Sequence, residues 1–178
     1  GRRCKPMAEE PQALRVTLPQ STEYHDVYLG WQEFDQGPRD LVLKRKDGLY
    51  AYNLAVVVDD AEQLITRVIR GKDLLEQTPA QNSLHNFLGQ TPPEVGHVPL
   101  ATGPDGNKLS KQNKSAPLND DAAAENLRRA LHFLAQPVVD SAANSVETIL
   151  EAATVQWTPT SFAQIESKTL VYPEDAAS

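Results

Sequence analysis

Two neighbouring apolar segments, residues 52–60 and 64–69, constrain the fold of this chain more than any other feature. The second is a short apolar run that ends at Arg70-Gly71, and it predicts a buried β-strand. The β-branched residues of the first favour a strand, but periodicity does not distinguish a short buried strand from a buried helix. Residues 64–69 are therefore expected to form a core strand, whereas residues 52–60 could form either a strand or a helix.

Three more strands are predicted upstream. Residues 13–18 alternate between apolar and polar side chains, and residues 25–30 repeat this pattern more weakly. Residues 40–46 form a third segment of this kind, which the Asp47-Gly48 turn ends.

A helix is predicted to begin at Thr78-Pro79, because a threonine hydroxyl caps helices and proline suits the first turn. Its buried face consists of Leu84, Phe87 and Leu88, and Gly89 ends it.

Two further helices are predicted near the end of the chain. Asp120 or Asp121 caps the first, which has apolar residues at helical spacing between positions 127 and 134. Pro137 separates it from the second, at about residues 140–153. These segments place α and β elements around a shared core, which is consistent with the second half of a doubly wound α/β fold. In such folds ligands bind beyond the carboxyl ends of the parallel strands, and Arg70 lies at one such strand end.

The composition restricts the partners. With 178 residues, the chain is long enough for one domain with a sizeable core. The net charge of −7 gives no general attraction to nucleic acids, so a nucleic-acid partner would contact the basic stretches at 44–46 and 108–114. There is no run of membrane-spanning length and no visible signal peptide, and the single cysteine excludes an internal disulfide framework. The cytoplasm is the expected location.

A short loop with two lysines, Lys108-Leu109-Ser110-Lys111-Gln112, follows a Gly-Pro-Asp-Gly-Asn turn. Lysine is a compact charge with three donors that suit phosphate oxygens, and a loop can move it onto a transferring phosphate. Two lysines without further context usually form a solvated basic loop, so the functional interpretation depends on the segments upstream.

Four blocks, in order and spacing, resemble the second half of the catalytic domain of class I aminoacyl-tRNA synthetases of the glutamate type. They are residues 47–60, 65–71 and 74–81 and the lysine loop, which resembles the KMSKS loop of that family. The resemblance implies that residues 52–60 form a helix within the second half of a Rossmann-like, doubly wound domain. It also implies a division into a β-rich insertion (1–48), this half-domain (49–118), a helical segment (119–157) and a tail (158–178).

The family's reaction implies roles for the lysine loop. ATP, with Mg²⁺, activates glutamate as glutamyl-adenylate, and the acyl group then passes to a tRNA. Lys111 and Lys108 match the two lysines of the KMSKS loop and would stabilise the reacting phosphate. Leu109 and Ser110 would complete this part of the ATP site.

Arg70 and Tyr52 match the residues with which this family contacts the substrate glutamate. A guanidinium at a strand end can form paired hydrogen bonds with a carboxylate. The structural alternatives are an ion pair of Arg70 with Asp59, Asp60 or Asp73, and a buried Tyr52 whose hydroxyl is satisfied.

Two features of the family lack a full counterpart. None of the four histidines lies in a His-x-Gly-His sequence, the HIGH motif that holds ATP. We therefore expect these 178 residues to be the later part of a longer enzyme and to be inactive alone. Cys4 resembles the last ligand of a zinc site found in one branch of the family, and zinc, which needs about four ligands, is expected only in the full-length enzyme.

Residues 108–113, residues 47–52 and the surroundings of Cys4 resemble the glutamyl-Q tRNA(Asp) synthetase family. That family attaches glutamate to the queuosine of tRNA(Asp) and lacks an anticodon-binding domain. The resemblance implies glutamate, ATP and tRNA(Asp) as partners of a monomer without membrane contact. Two alternatives stay open: a fragment of a glutamyl-tRNA synthetase that acts in translation, and a catalytically silent module that binds tRNA or a protein partner.

Overall fold

The computed structural model describes residues 12–18, 23–34, 39–110, 117–140, 143–159 and 162. The strands among them are β1 (Leu14–Leu18), β2 (Glu23–Asp26), β3 (Gly30–Glu33), β4 (Arg39–Lys44), β5 (Arg67–Gly71) and β6 (Glu94–Val98). The helices are α1 (Tyr52–Glu62), α2 (Thr78–Phe87), α3 (Ala123–Phe133) and α4 (Val146–Gln156), and short 3₁₀ helices cover Lys72–Gln77 and Asp120–Ala122. No helix within these ranges is long and apolar enough to cross a membrane.

The described strands form two sheets. β1 and β4 pair antiparallel, with Val16 opposite Leu41, which confirms the strands predicted at 13–18 and 40–46. The other sheet has the strand order β3-β2-β6-β5, and β2 runs parallel to β6 with Asp26 opposite Val95. Parallel strand pairing together with intervening helices confirms the predicted α/β class.

The strand predicted over residues 25–30 is wrong in part, because β2 ends at Asp26 and residues 27–29 form a turn. One carboxylate oxygen of Asp26 accepts hydrogen bonds from the backbone N–H groups of Tyr28 and Leu29, both at 2.9 Å. An aspartate that bonds to backbone two residues further on forms a turn and competes with strand pairing.

By its packing the chain divides into two compact units. The first comprises the described parts of Gly1–Tyr24, Gln32–Val68 and Glu76–Glu94. Its core consists of Leu18, Val57 and Leu84, contributed by β1, α1 and α2. Burying a side chain of this size contributes about 1.5–3 kcal/mol, so this cluster holds the two helices on the strand pair.

The helix that the resemblance implied at residues 52–60 is confirmed as α1. The helix ends in two backbone hydrogen bonds, from Ile65 N–H to the Asp60 carbonyl (2.9 Å) and from Leu64 N–H to the Ala61 carbonyl (3.2 Å). This is the Schellman pattern, and Leu64 has the left-handed φ of 56° that it requires. The strand predicted from residue 64 therefore begins only at Arg67, because residues 64 and 65 complete the helix end. It is also not the buried strand that was predicted: β5 is an edge strand of the described sheet without a buried residue, and Ile69 is 45% exposed.

Thr78 is not the N-cap of α2, contrary to the prediction. The chain is already helical over Lys72–Gln77, so Thr78 is a helical residue, Gln77 precedes it, and no side chain caps this end. Gly89 ends the helix as predicted, with φ 73° and a Gln90 N–H to His85 carbonyl bond of 2.9 Å.

The predicted buried face of α2 is correct only for Leu84. Phe87 and Leu88 are 62% and 42% exposed, because the buried part of the helix is its first two turns. His85 belongs to that buried part, and no residue in the described ranges offers a hydrogen bond to its Nδ1 atom.

Burial lowers the pKa of His85, and the carboxylate of Asp60 opposes this shift only in part. The folded protein thus keeps His85 neutral at pH values where the unfolded chain protonates its histidine, so stability falls as the pH falls below about 6.5.

Urea unfolding at about pH 8 and about pH 5 should show a smaller loss of stability in His85→Leu than in wild type. His132→Gln, which removes an exposed histidine, should keep the wild-type difference; an equal loss in His85→Leu would contradict the assignment.

The second unit comprises the described parts of His25–Trp31, Ile69–Leu75 and Val95–Ser178. Within it α3 and α4 pack around Val139, Ile149 and Ala153. The prediction that the last helix begins near residue 140 is wrong: Ser145 and Thr148 form a capping box, so α4 begins at Val146. The 3₁₀ helix that precedes α3 is capped by Asn119, whose side chain accepts from the N–H of Asp121, and not by Asp120 or Asp121 as predicted.

Candidate active site

In the second unit, a buried chain of polar contacts joins the ends of three strands. Arg70 on β5 donates from Nε to Nε2 of His97 on β6, at 3.1 Å. The other ring nitrogen of His97, Nδ1, lies 2.5 Å from Oδ2 of Asp26 at the end of β2. The side chains of His97 and Asp26 are fully buried.

The Asp26 carboxylate is held ionised by its hydrogen bonds. Burial alone would raise the pKa of Asp26, but bonds from the His97 side chain and from the backbone N–H groups of Leu29, Tyr28 and His97 lower it below the ordinary value. Because a carboxylate only accepts, the proton shared with His97 belongs to the ring. Arginine only donates, so Nε2 of His97 is the acceptor in the bond from Arg70.

The first lysine of the predicted ATP-binding loop lies on a tight antiparallel turn in the same unit. Thr102 pairs with Lys108, and the N–H of Leu109 donates to the carbonyl of Ala101 at 2.9 Å. Gly106 occupies the turn with φ 77°, a conformation that a side chain would strain. The turn thus gives Lys108 a defined backbone position.

A carboxylate meets this lysine. Nζ of Lys108 donates to Oδ2 of Asp73 at 2.5 Å, and both side chains are partly exposed. Asp73 lies three residues after Arg70, at the beginning of the 3₁₀ helix. A Cβ atom at Gly71 would be only 2.6 Å from Oδ1 of Asp73, so glycine at this position makes room for the carboxylate.

Residues 3–150 match the family described as the catalytic domain of class I tRNA synthetases (E and Q). The chain belongs to this family. The letters stand for glutamate and glutamine, so the match agrees with the glutamate-type resemblance of the four sequence blocks.

Among curated relatives of this class I synthetase chain, glutamyl-Q tRNA(Asp) synthetase from Pseudomonas fluorescens is 42% identical over 172 residues, 94% of this chain and 56% of that protein. The enzyme of the same name from Cronobacter sakazakii is 50% identical over 119 residues, 66% of this chain and 40% of that protein. These matches confirm the resemblance to the glutamyl-Q family. The chain spans about half the length of the curated relatives it matches.

A solved structure also matches. Glutamate-tRNA synthetase from Elizabethkingia anophelis superimposes with a TM-score of 0.52 and 21% sequence identity, covering 94% of this chain and 36% of that chain. At this identity the match concerns the fold alone, and it confirms the predicted class I synthetase architecture.

The described site residues of this class I synthetase chain fall in two units. Arg70, Lys108, Leu109 and Ser110 belong to the second unit, whereas Tyr52, the first residue of α1, belongs to the first. Tyr52 is 54% exposed, so the alternative of a buried structural tyrosine is wrong.

Two predicted residues, Lys111 and Cys4, lie outside the described residues. Within the described ranges there is no cluster of three or more His, Cys, Asp or Glu side chains that could hold a metal ion. The roles of Arg70, Tyr52 and the loop lysines stay predictions.

Sequence reasoning missed three residues of this site: Asp26, His97 and the partner of Lys108, Asp73. The sequence suggested Asp73 only as a structural ion-pair partner of Arg70, but the Asp73 carboxylate also accepts from Lys108, and Arg70 donates to His97. His97 follows Val95 and Gly96 in an apolar strand, where a histidine is ordinarily a satisfied core residue. Nothing in the sequence of either strand identifies it, because Asp26 lies 71 residues away and near the beginning of the strand predicted over residues 25–30.

Proposed function

We propose that this chain is part of an enzyme that activates glutamate with ATP and transfers it to the queuosine of tRNA(Asp). The observation that carries the proposal is that one unit of a class I synthetase chain holds both the strand-end Arg70 and Lys108, the first lysine of the loop. The name shared by relatives that are 42–50% identical supports the choice of acceptor.

The first step is an attack of a glutamate carboxylate oxygen on the α-phosphorus of ATP. The bond to the bridging oxygen breaks, pyrophosphate leaves and glutamyl-adenylate forms. Such a step requires alignment and neutralisation of charge instead of a protein nucleophile. Mg²⁺ would accompany ATP and neutralise part of its phosphate charge.

Arg70 and Tyr52 would bind the amino acid in this reaction. The arginine supplies paired donors for a carboxylate, and the exposed tyrosine supplies a hydroxyl at the start of α1. Lys108 and Lys111 would act on ATP, with Leu109 and Ser110 between them. Because Lys108 is held by the Asp73 carboxylate, an ATP phosphate would compete with that carboxylate for the same ammonium group.

The second step transfers the glutamyl group to a nucleophile of the tRNA, and AMP leaves. We propose that the enzyme acts as a cytoplasmic monomer and that a zinc ion, with Cys4 as one ligand, belongs only to the full-length protein. The second candidate is a glutamyl-tRNA synthetase fragment, which the match to the class I (E and Q) catalytic domain also supports; it differs in the acceptor, the 3′ end of the tRNA.

The test compares the 178-residue chain with the full-length protein. We expect glutamate-dependent ATP–pyrophosphate exchange by the full-length protein and none by the chain alone, because the chain lacks a His-x-Gly-His sequence. Labelled glutamate should pass to tRNA(Asp) that contains queuosine and not to unmodified tRNA(Asp). Exchange by the chain alone would contradict the first expectation. Labelling of tRNA(Glu) at its 3′ end, with neither form of tRNA(Asp) labelled, would favour the translation enzyme.

A further inference from the structure

We propose that His97 and Asp26 are positioning residues that fix the direction of the Arg70 guanidinium for the carboxylate of glutamate. The inference rests on the proposed function, since it assumes that Arg70 binds glutamate. Its basis is the contact chain Asp26–His97–Arg70, whose inner members are fully buried.

The first step concerns the guanidinium plane. All five N–H donors of arginine lie in one rigid plane, so a hydrogen bond at Nε restricts the directions of the others. The bond from Nε to Nε2 of His97 anchors the group at its inner edge. A carboxylate that binds such a guanidinium with two parallel bonds meets a group that is already oriented, which lowers the ordering cost of binding.

The second step concerns the histidine. Nε2 accepts from Arg70 only if the ring proton is on Nδ1, and Nδ1 is protonated because it faces the Asp26 carboxylate. In catalytic triads, too, a carboxylate fixes the tautomer of a histidine so that the other ring nitrogen can act as an acceptor. In this protein that nitrogen is Nε2 of His97, which accepts a hydrogen bond from Arg70.

The third step concerns the carboxylate, which the backbone holds in place. Its Oδ1 atom accepts from the N–H groups of Tyr28 and Leu29, and also from the N–H of His97 at 3.2 Å. The strand carrying His97 is closely packed beside it: a Cβ atom at Gly96 would lie 2.9 Å from side-chain atoms of Ile69 and Tyr28. Neither end of the Asp26–His97 contact can shift without disturbing backbone structure.

Stability does not account well for such an arrangement. Replacing a buried ionic or strongly polar pair by apolar residues of similar volume is often neutral or stabilising. A pair of this kind at the inner edge of a candidate substrate-binding arginine fits a positioning role better than a purely structural one.

The decisive variant is Asp26→Asn in the full-length protein. Asparagine keeps the shape, and its carbonyl oxygen can still accept the backbone bonds, but its NH₂ group faces Nδ1 of His97. The ring must then carry its proton on Nε2, where it faces the Nε–H of Arg70, and two donors oppose each other. We expect the KM for glutamate to rise about tenfold or more, the KM for ATP to stay within about twofold, and kcat to change less than the glutamate KM.

Imidazole ¹⁵N NMR provides a readout independent of activity. Wild-type His97 should be protonated at Nδ1, and Asp26→Asn should move the proton to Nε2. The matched control is Asp40→Asn, the same change at an exposed ion pair with Arg15, and it should leave both readouts at their wild-type values.

A second pair of variants keeps the test decisive if Asp26→Asn does not fold. His97→Gln retains an acceptor at about the position of Nε2, whereas His97→Leu retains none. We expect the glutamate KM to rise in both, and less in His97→Gln. Equal KM values for wild type, Gln and Leu, or an unchanged KM in a folded Asp26→Asn with a changed tautomer, would overturn the inference while the proposed function stood. Absence of glutamate activation by the wild-type protein would instead overturn the proposed function.

Discussion

Replacing Arg70 by alanine in the full-length protein should raise the KM for glutamate by at least about 30-fold. Removing one partner from a desolvated charge pair costs about 2–5 kcal/mol, of which every 1.4 kcal/mol is a factor of ten. The loss should be in ground-state binding of the amino acid, so the KM for ATP should change little. Steady-state ATP–pyrophosphate exchange with varied glutamate measures the effect.

Arg67→Ala is the matched control for this prediction, because it removes another arginine of β5. Arg67 forms an exposed ion pair with Glu94, and such pairs contribute only about 0–1 kcal/mol. The Arg67→Ala variant should therefore leave the KM for glutamate unchanged. Arg70→Lys keeps the charge but loses the planar fork and should recover only part of the affinity. A change of less than about twofold in Arg70→Ala, ~0.4 kcal/mol, would show that Arg70 is structural.

Local features of the fold could be predicted from the sequence where a single residue type, such as glycine, determines the backbone conformation. Gly89 ends α2 and the Asp47-Gly48 turn follows β4, as predicted. The prediction did not anticipate that Leu64 would adopt a left-handed conformation, for which glycine is the usual residue. The exposed Phe87 was missed for another reason: helical spacing shows which residues share a face but not how far along the helix the neighbouring core extends.

The candidate site was predictable only in part. Arg70 and Lys108 lie in segments that carry a recognisable pattern, and the structure assigns both to one unit. Their partners could not be derived in this way, because Asp26 and His97 are 71 residues apart and meet only through the parallel pairing of β2 with β6. Neither strand contains a signal that specifies the other. Asp73 contacts Lys108 across 35 residues, and a bond between two exposed, flexible side chains has no sequence pattern either.

Replacing Lys111 by alanine should lower the rate of adenylate formation by a factor on the order of 10²–10³. Charge on the α-phosphate and on the leaving pyrophosphate develops mainly in the transition state, so a lysine that neutralises it contributes more to the rate than to ATP binding. Single-turnover formation of glutamyl-adenylate by the full-length protein, with ATP affinity measured separately, distinguishes the two effects. ATP affinity should change less than the rate.

Two further variants test whether the effect belongs to this position. Lys111→Arg should restore only part of the rate, because a guanidinium is larger and differently shaped than an ammonium group. Lys114→Ala removes a second lysine of the same basic stretch and should leave adenylate formation nearly unchanged, although it can weaken tRNA binding in a salt-dependent way if it contacts a phosphate. If Lys111→Ala and Lys114→Ala have equal effects, or if Lys111→Ala leaves the rate intact, residues 108–114 form only a solvated basic stretch. In that case the reacting phosphate is stabilised by other residues.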